Sequence, residues 1–151
     1  MRLVPSDCPS ANPARSRLVV GQALRYFAEH FHQPIAMPAV ADRLGITVEC
    51  LDFCFDQSRG MTPYEALQHH RLNRLFAVIT SEPHQSLPQA IRACGLQRSA
   101  ETVSQFEETF GITMPLFLLT CRRAAEDRAF RRHHPQRHAL VITGLELDGA
   151  F

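Results

Sequence analysis

Two stretches of this chain repeat one another at a distance of fifty residues, from Gly45 to Gly95, and that repeat restricts the fold more than any other feature. Ile91, Ala93, Gly95, Phe106 and Gly111 keep the order of Ala41, Arg43, Gly45, Phe55 and Gly60, with one extra residue before the second phenylalanine. Each copy closes similarly, first as Gly60, Met61, Thr62, Pro63 and then as Gly111, Ile112, Thr113, Met114, Pro115. Self-similarity of this kind marks one supersecondary unit built twice.

Each unit reads as two helices about a glycine. In the first, Pro38 suits an opening helical turn, Val40, Ala41 and Leu44 supply a short apolar face, and Gly45 ends the helix by permitting positive φ. Thr47 can then cap a second helix with Cys50, Leu51, Cys54 and Phe55 along one inward face. Short helix, tight turn and longer helix make a helix-turn-helix, whose second helix can enter a DNA major groove.

Between the copies lies TPYEALQHHRLNRLFAVIT, residues 62–80. Thr62 with Glu65 three residues on is a capping-box pattern, and Pro63 occupies the first helical position, where its missing N–H costs nothing. At about 100 degrees per residue, Leu67, Leu72, Leu75, Phe76, Val78 and Ile79 cover roughly half the helix circumference. A helix so broadly apolar is expected to be gripped from two sides, as a spine between the two units.

The flanks are less regular. Residues 1–14 hold three prolines and turn-forming residues without periodicity, and read as a flexible leader. Val20, Leu24, Phe27 and Phe31 follow at helical steps, predicting a helix over residues 15–31 that stops before Pro34. The expected organisation is a leader over 1–14, a first subdomain over 15–60, the linker helix over 62–80, a second subdomain over 86–130 and a tail over 131–151. The last helix is expected to run to Phe130 and give way to a basic, histidine-containing stretch, with a β-prone segment at Leu140 to Thr143.

No apolar run approaches the roughly 18 residues that a membrane span needs, and no signal-peptide core is present, which predicts a cytoplasmic protein. Five cysteines without CxxC spacing suggest buried thiols, with neither a disulfide framework nor a zinc site. No phosphate loop, GxSxG or HExxH appears, so no enzyme, catalytic residue, metal or cofactor is expected. All sixteen basic residues are arginine, suited to bidentate contact with phosphate or guanine, yet formal net charge is only +1.

From about Leu18 to Arg123 the sequence resembles the DNA-binding domain of the AraC/XylS family of bacterial transcription regulators. The resemblance rests on Ala41 to Gly45 with Leu51, Phe55 and Gly60; on Met61, Thr62, Pro63, Leu67, Arg71 and Leu72; and on Ile91, Cys94, Gly95, Phe106, Phe110 and Gly111. It implies an all-α, seven-helix domain in which two helix-turn-helix units, joined by a central linker helix, dock into successive major-groove segments about 34 Å apart. The expected partner is double-stranded DNA, with RNA polymerase or another regulator protein as further partners, and the chain looks like a stand-alone domain.

The chain departs from the family where bases would be read. Val48, Glu49, Asp52, Phe53 and Asp56 point outward from the first unit, and Arg98, Ser99, Glu101 and Gln105 belong to the second. Base-reading candidates are therefore Val48, Glu49, Asp52, Phe53, Arg98, Ser99, Glu101 and Gln105; Arg98 suits guanine, Gln105 adenine, and the acids cytosine N4. Ser104 stands where the family has an arginine, and Thr102 where it has an aromatic. Phosphate candidates are Arg43, Arg59, Arg71, Arg92, Arg122 and Arg123. Arg71 lies within the apolar arc of the spine, so a buried ion pair is its alternative role. Leu116 to Leu119 form an apolar run that is either extra core or a partner surface. Acids on a docking face subtract from phosphate attraction. A second reading is thus a degenerate AraC-like scaffold acting through protein contacts, without DNA.

Overall fold

A computed structural model describes residues 12–134, which form seven helices in the order α1 (Pro13–His30), α2 (Met37–Leu44), α3 (Val48–Arg59), α4 (Pro63–Ser81), α5 (Leu87–Ala93), α6 (Ala100–Phe110) and α7 (Met114–His133). The architecture is all-α, with no strand among the described residues.

Local chemistry sets most of the boundaries. The first N–H groups of a helix have no partner inside it, so a side-chain acceptor just ahead of the helix is stabilising. Thr47 accepts from Cys50 N at 3.1 Å, Thr62 from Glu65 N at 3.1 Å, Ser99 from Thr102 N at 3.3 Å and Thr113 from Leu116 N at 3.4 Å. At the other end, Gly60 and Gly111 follow α3 and α6 in the left-handed region and return their N–H groups to Asp56 O and Glu107 O.

Two boundaries and one cap differ from expectation. α1 starts at Pro13, because Asn12 Oδ1 accepts from Ala14 N at 3.0 Å and Pro13 tolerates the first turn, so residues 12–14 are cap and helix instead of leader. α7 runs three residues past Phe130, with Arg131 paired to Asp127 one turn back at 2.7 Å. Of the expected capping box only the forward half is formed, with Thr62 accepting from Glu65 N. Residues 1–11 and 135–151 lie outside the described residues, including Cys8 and the β-prone Leu140 to Thr143.

The core falls into two clusters, and α4 enters both. Val20, Phe27, Val40, Leu51, Phe55 and Leu67 are among the buried members of the first. Leu72, Leu75, Ile79, Ile91, Phe106 and Met114 are among those of the second. The wide apolar arc of α4 is explained by this division: its first two turns serve one cluster and the remainder the other. Cys54, Cys94 and Cys121 are free, and burial pushes the Cys94 thiol up, so it remains protonated. Cys50 corrects the expectation of five thiols: it is disulfide-bonded.

Candidate nucleic-acid interface

The second helix of each unit presents one face to solvent. Along α3, Cys50, Leu51, Cys54 and Phe55 are buried, and at 100 degrees per residue the opposite face carries Glu49, Asp52 and Asp56, all exposed. Val48 and Phe53, expected to face outward, are half-buried and pack against the first cluster. The outer stripe of α3 is therefore more acidic than the sequence reading made it.

α6 is arranged differently. Thr102 and Phe106 point into the core, and the outer face carries Ala100, Val103, Ser104 and Glu107, all exposed. Glu101, Gln105 and Glu108 follow one another along the flank that faces α4. Gln105 is half-buried there and donates from Nε2 to Glu101 at 3.3 Å, while its amide oxygen is occluded and accepts nothing. Ser99 is spent on capping, accepting from Thr102 N and donating to Thr102 Oγ1 at 3.3 Å. Arg98, just ahead of the helix, is exposed.

The arginines divide by surroundings. Arg59, Arg92 and Arg123 are exposed. Arg43 is exposed with its guanidinium 5.5 Å from the Tyr26 ring centroid. Arg122 is half-buried and donates from Nε to Pro83 O at 2.8 Å, tying α7 to the loop after α4. Arg71 is only 8% exposed. It donates from Nε to Phe31 O and from Nη2 to Gln33 O, both at 2.9 Å, and from Nη1 to Gln68 Oε1 at 3.2 Å. Its acceptors are backbone carbonyls and an amide, so it is neither a surface clamp nor half of an ion pair. It fastens the end of α1 to the middle of α4.

Gly95 completes this junction. With φ +76°, an added Cβ would fall 2.1 Å from Phe31 O and 2.9 Å from Arg71 Nε. The turn of the second unit thus rests directly on the segment joining α1 to α2, beside Arg71. The sequence marks Gly95 only as a turn glycine; Gly45, its counterpart, meets open space.

Beside the junction, His70 packs edge-on against Phe31, with ring centroids 5.4 Å apart, and its Nε2 is buried without a partner. Burial, with the Arg74 and Arg71 charges, lowers its pKa from 6.5. A folded pKa below the unfolded one means that the unfolded chain binds the proton more readily, so stability falls as pH drops below about 6.5 and levels off below the folded value. Urea titrations between neutral and mildly acid pH should show this loss, and His70→Gln should flatten it.

The run from Leu116 to Leu119 splits between its two readings. Phe117 stacks on Phe76 at 4.4 Å, and Phe117 and Leu118 join the second cluster. Leu116 and Leu119 are 54% and 46% exposed. Among the described residues no three His, Cys, Asp or Glu side chains converge as a metal site requires, and no helix is long and apolar enough to cross a membrane.

No protein-family model matches the sequence, and no curated protein matches it either. Among solved structures, it is similar to an AraC-type DNA-binding domain-containing transcriptional regulator from Chromobacterium violaceum. The identity is 22% and the TM-score 0.64, over 72% of this chain and 96% of that one. A protein of unknown function from Listeria innocua matches at 19% identity and a TM-score of 0.60, over 67% of this chain and 95% of that one. Similarity at this level fixes the fold: two helix-turn-helix units on a linker helix, in the AraC-type arrangement.

Proposed function

From this AraC-type fold, we propose that the protein is a bacterial, cytoplasmic transcriptional regulator. It binds double-stranded DNA sequence-specifically, with α3 and α6 in adjacent major-groove segments. The observation that carries the reading is the pairing of geometry: both units cap and end their second helix alike, both leave its outer face exposed, and both are mounted on α4. On that reading α3 reads through Glu49 and Asp52, and α6 through its start at Arg98 and its outer residues, with Arg43, Arg59, Arg92 and Arg123 as phosphate contacts. RNA polymerase or another regulator would meet a different face, and the exposed Leu116 and Leu119 offer one.

The acid stripe of α3 favours one other reading, an interaction module that has kept the scaffold and lost the nucleic acid. The two differ in a binding titration against a duplex selected from random sequence. A DNA reader binds and loses affinity steeply with added salt. An interaction module binds no duplex even at low ionic strength.

A further inference from the structure

α7 is the longest helix among the described residues and the least covered, with Met114 its one fully buried side chain. Its inner side joins the second cluster through Phe117, Leu118 and Cys121, and from Glu126 onward only Ala129 is even half-buried. Two turns therefore stand in solvent, although a helix draws most of its stability from a packed face. The opposite side is patterned. Leu116, Leu119, Arg123, Glu126 and Phe130 follow at steps of three, four, three and four, all exposed, within an arc of about 80 degrees. Such steps form the seam of a coiled coil. Of the six large apolar side chains exposed among the described residues, three lie on this one stripe.

The charges on the stripe decide what fits it. Neither Arg123 nor Glu126 has an ionic partner among the described residues, whereas Asp127 beside them is paired to Arg131. When two copies of α7 are laid antiparallel about a two-fold axis between Ala124 and Ala125, Leu119 of each meets Phe130 of the other. Arg123 then meets Glu126, twice by symmetry. A parallel pair in the same register sets Arg123 against Arg123 and Glu126 against Glu126, and like charges so placed oppose association. The stripe is self-complementary in one direction alone.

We propose that the outer face of α7 is a homodimer interface, along which a second copy of this chain lies antiparallel, with Leu119 against Phe130 and Arg123 against Glu126. A single helix pair falls below the roughly 1,600 Å² of a standard interface, so the dimer is weak, with a Kd of about 10 to 100 μM. The pairing does not depend on the reading of DNA, except that it takes Arg123 from phosphate and leaves Arg43, Arg59 and Arg92 to that role.

Sedimentation velocity of the full chain without DNA tests this, with a non-reducing gel run beside it to show that no cysteine links the copies. The mass is expected to climb from that of one 17.1 kDa chain toward twice that value between about 5 and about 500 μM. Leu119→Glu should weaken association about tenfold or more. Arg123→Glu and Glu126→Arg each set like charges together twice, and each should weaken it about tenfold. The double variant Arg123→Glu, Glu126→Arg restores both pairs and should associate as the native chain does. All three positions are exposed, so unaltered unfolding midpoints separate lost pairing from lost folding. A monomer throughout the range, as for a face covered by another protein or by residues 135–151, would overturn the proposal. So would a dimer indifferent to the single charge reversals, or one that the double reversal fails to restore.

Discussion

Gly95→Ala is expected to cost more than about 3 kcal/mol of stability, and Gly45→Ala only about 1 to 2 kcal/mol, although the two glycines hold equivalent places in the repeat. Both have positive φ, +76° and +70°, so the left-handed penalty on an alanine is shared. The difference is steric. At Gly45 a methyl group enters open space, whereas at Gly95 it lands 2.1 Å from the Phe31 carbonyl oxygen. That oxygen belongs to backbone pinned by Arg71, so the contact cannot be relieved by rotating a side chain. Urea unfolding midpoints of the two variants measure the gap, and equal losses would show that the junction yields.

Arg71→Met is the second large effect, expected at about 3 to 5 kcal/mol. Two charge-assisted hydrogen bonds to Phe31 O and Gln33 O disappear, each worth about 1.5 to 3 kcal/mol, and the carbonyls lose their donor. Methionine fills most of the space, which isolates the polar loss from a cavity. Arg71→Lys should recover little, because a single ammonium cannot reproduce the fork that meets two carbonyls. Arg74→Met provides the comparison. Arg74 is exposed, its guanidinium lies 5.2 Å from the Phe31 centroid, and its loss should cost no more than about 1 kcal/mol. Stability equal to that of Arg74→Met in the Arg71 variant would remove Arg71 from the role assigned to it.

The capping residues and turn glycines were legible in the sequence because each acts within a few positions of itself. Thr47, Thr62 and Gly45 needed no knowledge of the rest of the chain. The breadth of the apolar arc on α4 also foretold its two-sided burial, since periodicity records how much of a helix is covered. What covers it is not recorded there. Arg71 reads as an oddity in an apolar arc, and only the fold brings it to carbonyls 38 and 40 residues away. Gly95 looks like Gly45 until the strap after α1 arrives beside it. Gln105 is half-buried beside α4, and helix phase alone does not say that α4 stands next to that flank. Phe53 and Val48 lie near the edge of the α3 face, where the first cluster reaches out to cover them. The start of α1 was hidden because Asn12 and Pro13 suit a turn as well as they suit a cap.

In the proposed function α4 holds α3 and α6 so that each enters a major-groove segment, one helical turn apart. Hydroxyl-radical footprinting of the protein on its selected duplex tests this most directly. The account predicts two protected patches on one face, centred about one helical turn apart, with the second patch weakened when the Arg71 junction is broken. A single patch, or no protection at low ionic strength, would contradict it.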